Sequence, residues 1–274
     1  MTGKRTGMFK KCVKYAIIGL VLIFMYVPIL IVAVYSFTDS PNIGAIHSFS
    51  FHNYVTLFTT PELINMIIGS VALAIGSAVL ATILGTTGAI GAFYSKKNVN
   101  GTMSVLNQIP VVNADVVTGF SLCILLVVVF GVSKNTYIPL IIGHTVLSAP
   151  FVYLAVVPKL KQMDPSLYEA ALDLGATPGY TLIHIIIPQI ASGIVSGFVM
   201  AVTLSLDDYF VATYTKPATF DTISTYVVNA TKGSQTNIRT ALWALSTIIF
   251  LIVVIVEVVM NFAPIKNEAQ KEKH

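Results

Sequence analysis

Asp207 and Asp208 stand side by side at the end of a long apolar run, and Tyr209, Phe210 and Tyr214 follow closely. Adjacent carboxylates repel one another and are costly near hydrocarbon, so acids at such a place are read first as functional. Their chemistry suits a cation. Carboxylates offset ammonium charge, and aromatic faces add cation–π attraction. The competing readings are a solvated turn in the headgroup zone or pairing with Lys216. Asp115 is a second acid in an apolar context, after Pro110 and Asn113. It fits either a translocation path or a helix start, where the dipole favours a carboxylate. Glu257, His144 and His184 also fall within apolar runs, where interhelical hydrogen bonding is the commoner use.

Other chemistries lack their residues. The chain contains no G-x-x-x-x-G-K-[ST] loop, no H-E-x-x-H, no G-x-S-x-G and no Cys/His cluster, so a non-enzyme that binds no nucleotide, metal or other cofactor is expected. Cys12 and Cys123 have no ligand spacing and form no disulfide framework.

The elements that must carry these acids are apolar. Of 274 residues, 55% are hydrophobic and only 10% charged, against an ordinary charged share of roughly 25%. A soluble globule could not cover its surface with so few charges, and a nucleic-acid binder is excluded despite a pI of about 8.9. A bilayer core needs about 20 apolar residues per helix. Six runs meet that need, at about 15–37, 63–93, 109–130, 137–157, 180–206 and 239–262. The second is long enough to require tilt or extension beyond the hydrocarbon. Lys4, Arg5, Lys10, Lys11 and Lys14 precede the first, whose apolar stretch is too long for a secretory signal, so a retained helix is expected.

With the N-terminus (1–14) inside, six spans return the C-terminus (263–274) to the cytoplasm. The basic residues then sort twelve inside, including Lys96, Lys97, Lys159, Lys161, Lys266, Lys271 and Lys273, against four outside, Lys134, Lys216, Lys232 and Arg239. That asymmetry fixes the orientation by the positive-inside rule. It places Asp115 at the inner start of the third span and the acidic pair at the outer end of the fifth. The outer loops around 38–62 and 207–238 also hold Asp39, Glu62 and Asp221. Gly69, Gly76, Gly85, Gly88 and Gly91, and Gly193 with Gly197, mark places where helix backbones can approach closely.

Between the fourth and fifth runs lies a short segment, about 164–175, with the signals of a capped helix. Asp164 can cap, Pro165 suits the first helical position, and Gly175 suits the left-handed residue after the end. Leu167, Ala171 and Leu174 are spaced for one apolar face, with Glu169 and Asp173 on another. Its acids do not suit anionic headgroups, so docking into a soluble partner competes with an interfacial position. Glu169-Ala170-Ala171, then Gly175, then Ile185-x-Ile187-Pro188 resembles the EAA motif of ATP-binding-cassette (ABC) importer permeases, with Ile where Leu is usual.

The resemblance implies an all-α, polytopic type I importer permease (MetI-like) fold of six transmembrane helices in a bacterial inner membrane. It makes Glu169, Ala170, Ala171, Asp173 and Gly175 coupling residues, with Pro188 a kink beside the lever. It further implies a heterodimer with a second, similar permease subunit, two cytoplasmic ATPases that use ATP and Mg, and an extracytoplasmic binding protein. Tyr35-Ser36-Phe37, the stretch Phe49 to Tyr54, Leu84-Gly85-Thr86 and the stretch Thr203 to Asp208 are similar to polyamine permeases of that family, which would make Asp207, Asp208, Tyr209, Tyr214 and Asp115 residues of a pathway for spermidine and putrescine. Importers of another solute share the frame. An ion-coupled carrier would be expected to show paired inverted repeats, which the single EAA segment does not suggest.

Overall fold

The structure, a computed structural model, describes the backbone of residues 2–38, 48–232 and 236–271, and within these the side chains of 13–38, 48–230, 240–256 and 258. The side chains of Lys4, Arg5, Lys10, Lys11, Lys232, Arg239, Glu257, Lys266 and Lys271, and the residues Asp39 and Lys273, lie outside that description. The chain forms two compact units, Met1–Ile64 with Ala230–His274, and Asn65–Asn229.

In the first unit α1 (Thr2–Ser36) packs on α13 (Thr236–Lys271), which also packs on α2 (His52–Thr59). The turn after α1 is held by Asn53, which is buried in α2 and donates to the carbonyls of Ser36 (3.0 Å) and Thr38 (2.9 Å). Phe37, Phe49, Phe51 and Tyr54 close over it with ring centroids 5.1–6.2 Å apart. The two aromatic stretches separated in sequence are thus one cluster. Most side chains along the apolar length of α1 are exposed, as expected of a helix whose solvent is lipid.

The second unit is built on α6 (Ile138–Gln162), against which α10 (Ala191–Asp207), α11 (Phe210–Thr215), α4 (Lys97–Val112) and α5 (Asp115–Cys123) pack. α3 (Pro61–Phe93), 33 residues long, would measure about 50 Å, well beyond a hydrocarbon core of about 30 Å. The α3 side chains buried in this core are small, Ala78, Ala81, Ala89 and Ala92, against Val152, Val156 and Leu160 of α6, with Ile90 and Phe93 packed beside them. Close approach then replaces side-chain bulk as the source of dispersion contact. At Gly197 an added Cβ would sit 3.1 Å from the Val152 Cα, and at Gly193 2.8 Å from Lys159 Cγ.

Two of the expected spans are broken. The third run, read as one helix from Ile109, instead ends α4 at Val112, passes through extended Asn113 and Ala114, and restarts as α5 with a π-helical continuation, π1 (Ile124–Val129), at an angle of 101°. The fifth run is α8 (Pro178–Thr181), π2 (Leu182–Ile186) and α9 (Ile187–Gln189), bent 72° against α10. Pro188 sits in the first turn of α9, where its missing N–H and ring bulk weaken the ladder it interrupts. Asp115–Val129 and α10 would each run roughly 22–26 Å, short of a full crossing. Apolar composition alone cannot reveal such breaks, because both halves of each bent pair are equally apolar.

Candidate functional site

The break between α4 and α5 opens onto a cavity of about 380 Å³ at the C-terminal end of α10, lined by Pro110 and Val111 of α4, Asp115 of α5, Leu147 and Phe151 of α6, Leu204 and Asp207 of α10, and Asp208, Tyr209 and Phe210; the break before α10 lies at the other end of that helix. The sequence reading set Asp115 and the acidic pair at opposite ends of their spans. The structure brings them together, because neither α5 nor α10 continues straight past its acid. Asp115 is the first residue of α5, preceded by extended Ala114. It is exposed and lines the cavity, so the helix-start and the cavity-lining positions coincide.

The neighbours Asp207 and Asp208 differ. Asp207 ends α10 and is exposed to the cavity. Asp208 is extended (φ −65°, ψ 121°), 8% exposed, and caps α11: Val211 N–H donates to Oδ1 at 3.2 Å and Ala212 N–H to Oδ2 at 2.7 Å. Its carbonyl accepts the Ser224 hydroxyl. A carboxylate so placed satisfies amides that would otherwise be orphaned at the helix start. Neither acid pairs with Lys216, whose Nζ lies 2.9 Å from Asp221 Oδ1 and donates to the Phe220 carbonyl.

Tyr209 lines the cavity beside Phe210, their rings 5.2 Å apart and at 72°. Tyr214 does not. It packs edge-on against Phe120 of α5 at 5.6 Å. α11 can lie so close to α5 because residue 119 is glycine; a Cβ there would sit 2.9 Å from the Val211 Cα. Phe151 carries no sequence signal, since an aromatic in an apolar helix is ordinarily core, and only packing brings it to the site. His144 is wholly buried and makes the expected interhelical contact, 2.7 Å from Nδ1 to Ser205 Oγ. His184 instead stacks on Tyr180 and contacts its carbonyl within the same helical stretch.

The second feature is α7 (Ser166–Asp173), shorter than the expected 164–175. Ser166 N–H (2.9 Å) and its hydroxyl (2.7 Å) both donate to Asp164 Oδ1, and these bonds hold the Asp164 carboxyl below its ordinary value. Pro165 is the cap residue rather than the first helical one. At the other end Gly175 takes φ +86°, Ala176 N–H reaches the Ala171 carbonyl (3.0 Å) and Gly175 N–H that of Leu172 (2.9 Å). This Schellman geometry needs a left-handed residue, which glycine supplies without strain.

Because the helix ends at Asp173, Leu174 leaves the apolar stripe and is 89% exposed, while Ala171 alone of the residues expected to couple is buried, at 6%. Glu169, Ala170 and Asp173 face outward. Tyr168 packs on Tyr94 of α3 at 4.9 Å, beside a groove of about 620 Å³ that Glu169 also lines.

Residues 85–263 match the family of inner membrane components of binding-protein-dependent transport systems. The chain belongs to this family. It is 30% identical to the spermidine/putrescine transport system permease protein PotC of Haemophilus influenzae, over 92% of this chain and 96% of that protein. It is 31% identical to the putrescine transport system permease protein PotI of Escherichia coli K12, over 70% of each chain. In fold it resembles a chain of a bacterial alginate ABC transporter crystallised with an alginate-bound periplasmic protein, with TM-score 0.69 and 20% identity, covering 92% of this chain and 93% of that one. As an inner membrane component of an ABC importer, the chain is an all-α, polytopic membrane permease, and its matched region includes the cavity acids, His144 and the EAA segment.

Proposed function

We propose that this permease carries polyamines such as putrescine and spermidine through the cavity between α4, α5, α6 and α10. The carrying observation is the meeting there of Asp115 and Asp207, both without a salt-bridge partner among the described residues, with Tyr209, Phe210 and Phe151. Two separated carboxylates match a cargo of spaced ammonium groups. The rings add attraction of about 0.5–2 kcal/mol for each well-placed cation. An anion would face three carboxylates. The names of the relatives, which transport spermidine and putrescine, support the same choice.

In this reading the chain pairs with a second, similar permease subunit, two cytoplasmic ATPases that bind ATP and Mg, and an extracytoplasmic binding protein; both termini face the cytoplasm. Glu169, Ala170 and Asp173 meet the ATPase, Ala171 anchors α7 to its own chain, Gly175 ends the helix, and the bend after Pro188 passes its movement to α10. The test is ATP hydrolysis by the reconstituted complex. Putrescine or spermidine, delivered with the binding protein, is expected to stimulate hydrolysis several-fold over unrelated amino acids and sugars. Equal stimulation by all solutes would remove polyamines as the cargo.

A further inference from the structure

We propose that His144 is a positioning residue for transport: from outside the cavity it fixes Asp208, and through Asp208 the turn that presents Asp207, Tyr209 and Phe210. This rests on the polyamine reading for its transport readout, not for its geometry. The imidazole is fully buried in α6 and stands between two polar groups. Nδ1 is 2.7 Å from Ser205 Oγ, and Nε2 is 3.6 Å from Asp208 Oδ2 with no hydrogen-bond partner among the described residues. Ser205 in turn is 3.3 Å from Ser77 Oγ, whose hydroxyl donates to the Leu73 carbonyl at 2.8 Å. One line of side chains therefore joins α3, α10 and α6 to the α11 cap.

The tautomer follows from the neighbours. With the proton on Nδ1, the Nε2 lone pair would point at a carboxylate oxygen inside a site closed to water, and two acceptors would face each other. With the proton on Nε2, Ser205 donates to Nδ1 over the shorter of its two contacts, and Nε2–H points at Asp208. Asp208 Oδ2 then receives Ala212 N–H and faces an imidazole N–H, so its buried charge meets donors from two elements. The separation of 3.6 Å is beyond a formed hydrogen bond. The imidazole acts there as an oriented dipole that holds the carboxylate toward α6. Without it Asp208 keeps the α11 amides but loses its tie to the helix that carries Leu147 and Phe151.

The experiment uses the assembled transporter reconstituted into proteoliposomes. His144→Leu is expected to raise the half-saturating polyamine concentration for uptake about threefold, less than the roughly tenfold of one formed hydrogen bond to a charged group, with a smaller change in maximal rate. His144→Gln, which keeps an N–H donor of similar reach, is expected to recover most of that loss. Combining His144→Leu with Asp208→Asn is expected to add little to either single change. The ¹⁵N spectrum of the imidazole, assigned by its loss in His144→Gln, is expected to show the neutral Nε2–H form, displaced by Asp208→Asn. Additive effects, a Gln variant no better than Leu, or an Nδ1–H signal would each overturn the proposal. Where His144→Leu fails to assemble, the spectrum of the unsubstituted complex decides. Absence of polyamine uptake by the unsubstituted transporter would overturn the cargo assignment and leave the spectrum to judge His144.

Discussion

Adjacent aspartates with identical side chains do different work here because one backbone torsion separates them. Asp207 is the last helical residue of α10 and faces the cavity, whereas Asp208 is extended and turns its carboxylate onto the α11 amides. Asp207→Asn should therefore lower polyamine uptake at least tenfold while leaving the melting temperature of the complex unchanged. Asp208→Ala should lower both, by roughly 1 kcal/mol in stability for the lost cap. Asp208→Asn should recover stability better than uptake, since an amide oxygen still caps. The pair was conspicuous in the sequence as acids beside an apolar run, but nothing in the residue types distinguished the one that caps from the one that is free.

A similar cap carries a pH dependence at Asp164. Its carboxyl is held low by Ser166, so its contribution is complete above the ordinary aspartate range and fades as pH falls through the depressed value. Amide exchange over Ser166–Asp173 should accordingly be constant from pH 8 to 5 after correction for intrinsic rates, and faster in Asp164→Ala over that whole window.

At the scale of elements, helix ends rather than whole spans make the site: the start of α5 after its break and the end of α10. The apolar runs were legible by length, and so was the helix of the EAA segment, because cap, proline and glycine signals bracket it. The two bends were half legible. Pro188 pointed to the one before α10, but Pro110 lies within α4 and the break falls beyond it, at Asn113 and Ala114. Leu174 shows a different limit. Its spacing fits a helical face, yet the left-handed turn at Gly175 ends the helix first, so periodicity was extrapolated past the residue where it stops.

The contact of α10 with α6 rests on glycine. Gly193→Leu and Gly197→Leu should separate these helices, and the outcome expected is loss of assembled complex from the membrane rather than loss of uptake by assembled complex. Gly175→Ala should be milder, since open space surrounds that position; its cost is the strain of a left-handed torsion, about 1 kcal/mol. ATPase stimulation, more than uptake affinity, should report it.

For the whole molecule, few charges decide much. Orientation rests on the distribution of lysines, and single cysteines test it. Lys161→Cys should be shielded from a membrane-impermeant thiol reagent added outside intact cells, and Lys134→Cys should be labelled. Reversed labelling would invert the topology. The three carboxylates that line the cavity divide by their partners. Asp208 commits its oxygens to the α11 amides, so in the proposed reading Asp115 and Asp207 are the two among the described residues free to meet ammonium groups directly, one for each end of a diamine. The third nitrogen of a triamine would then feel the Asp208 charge only at a distance.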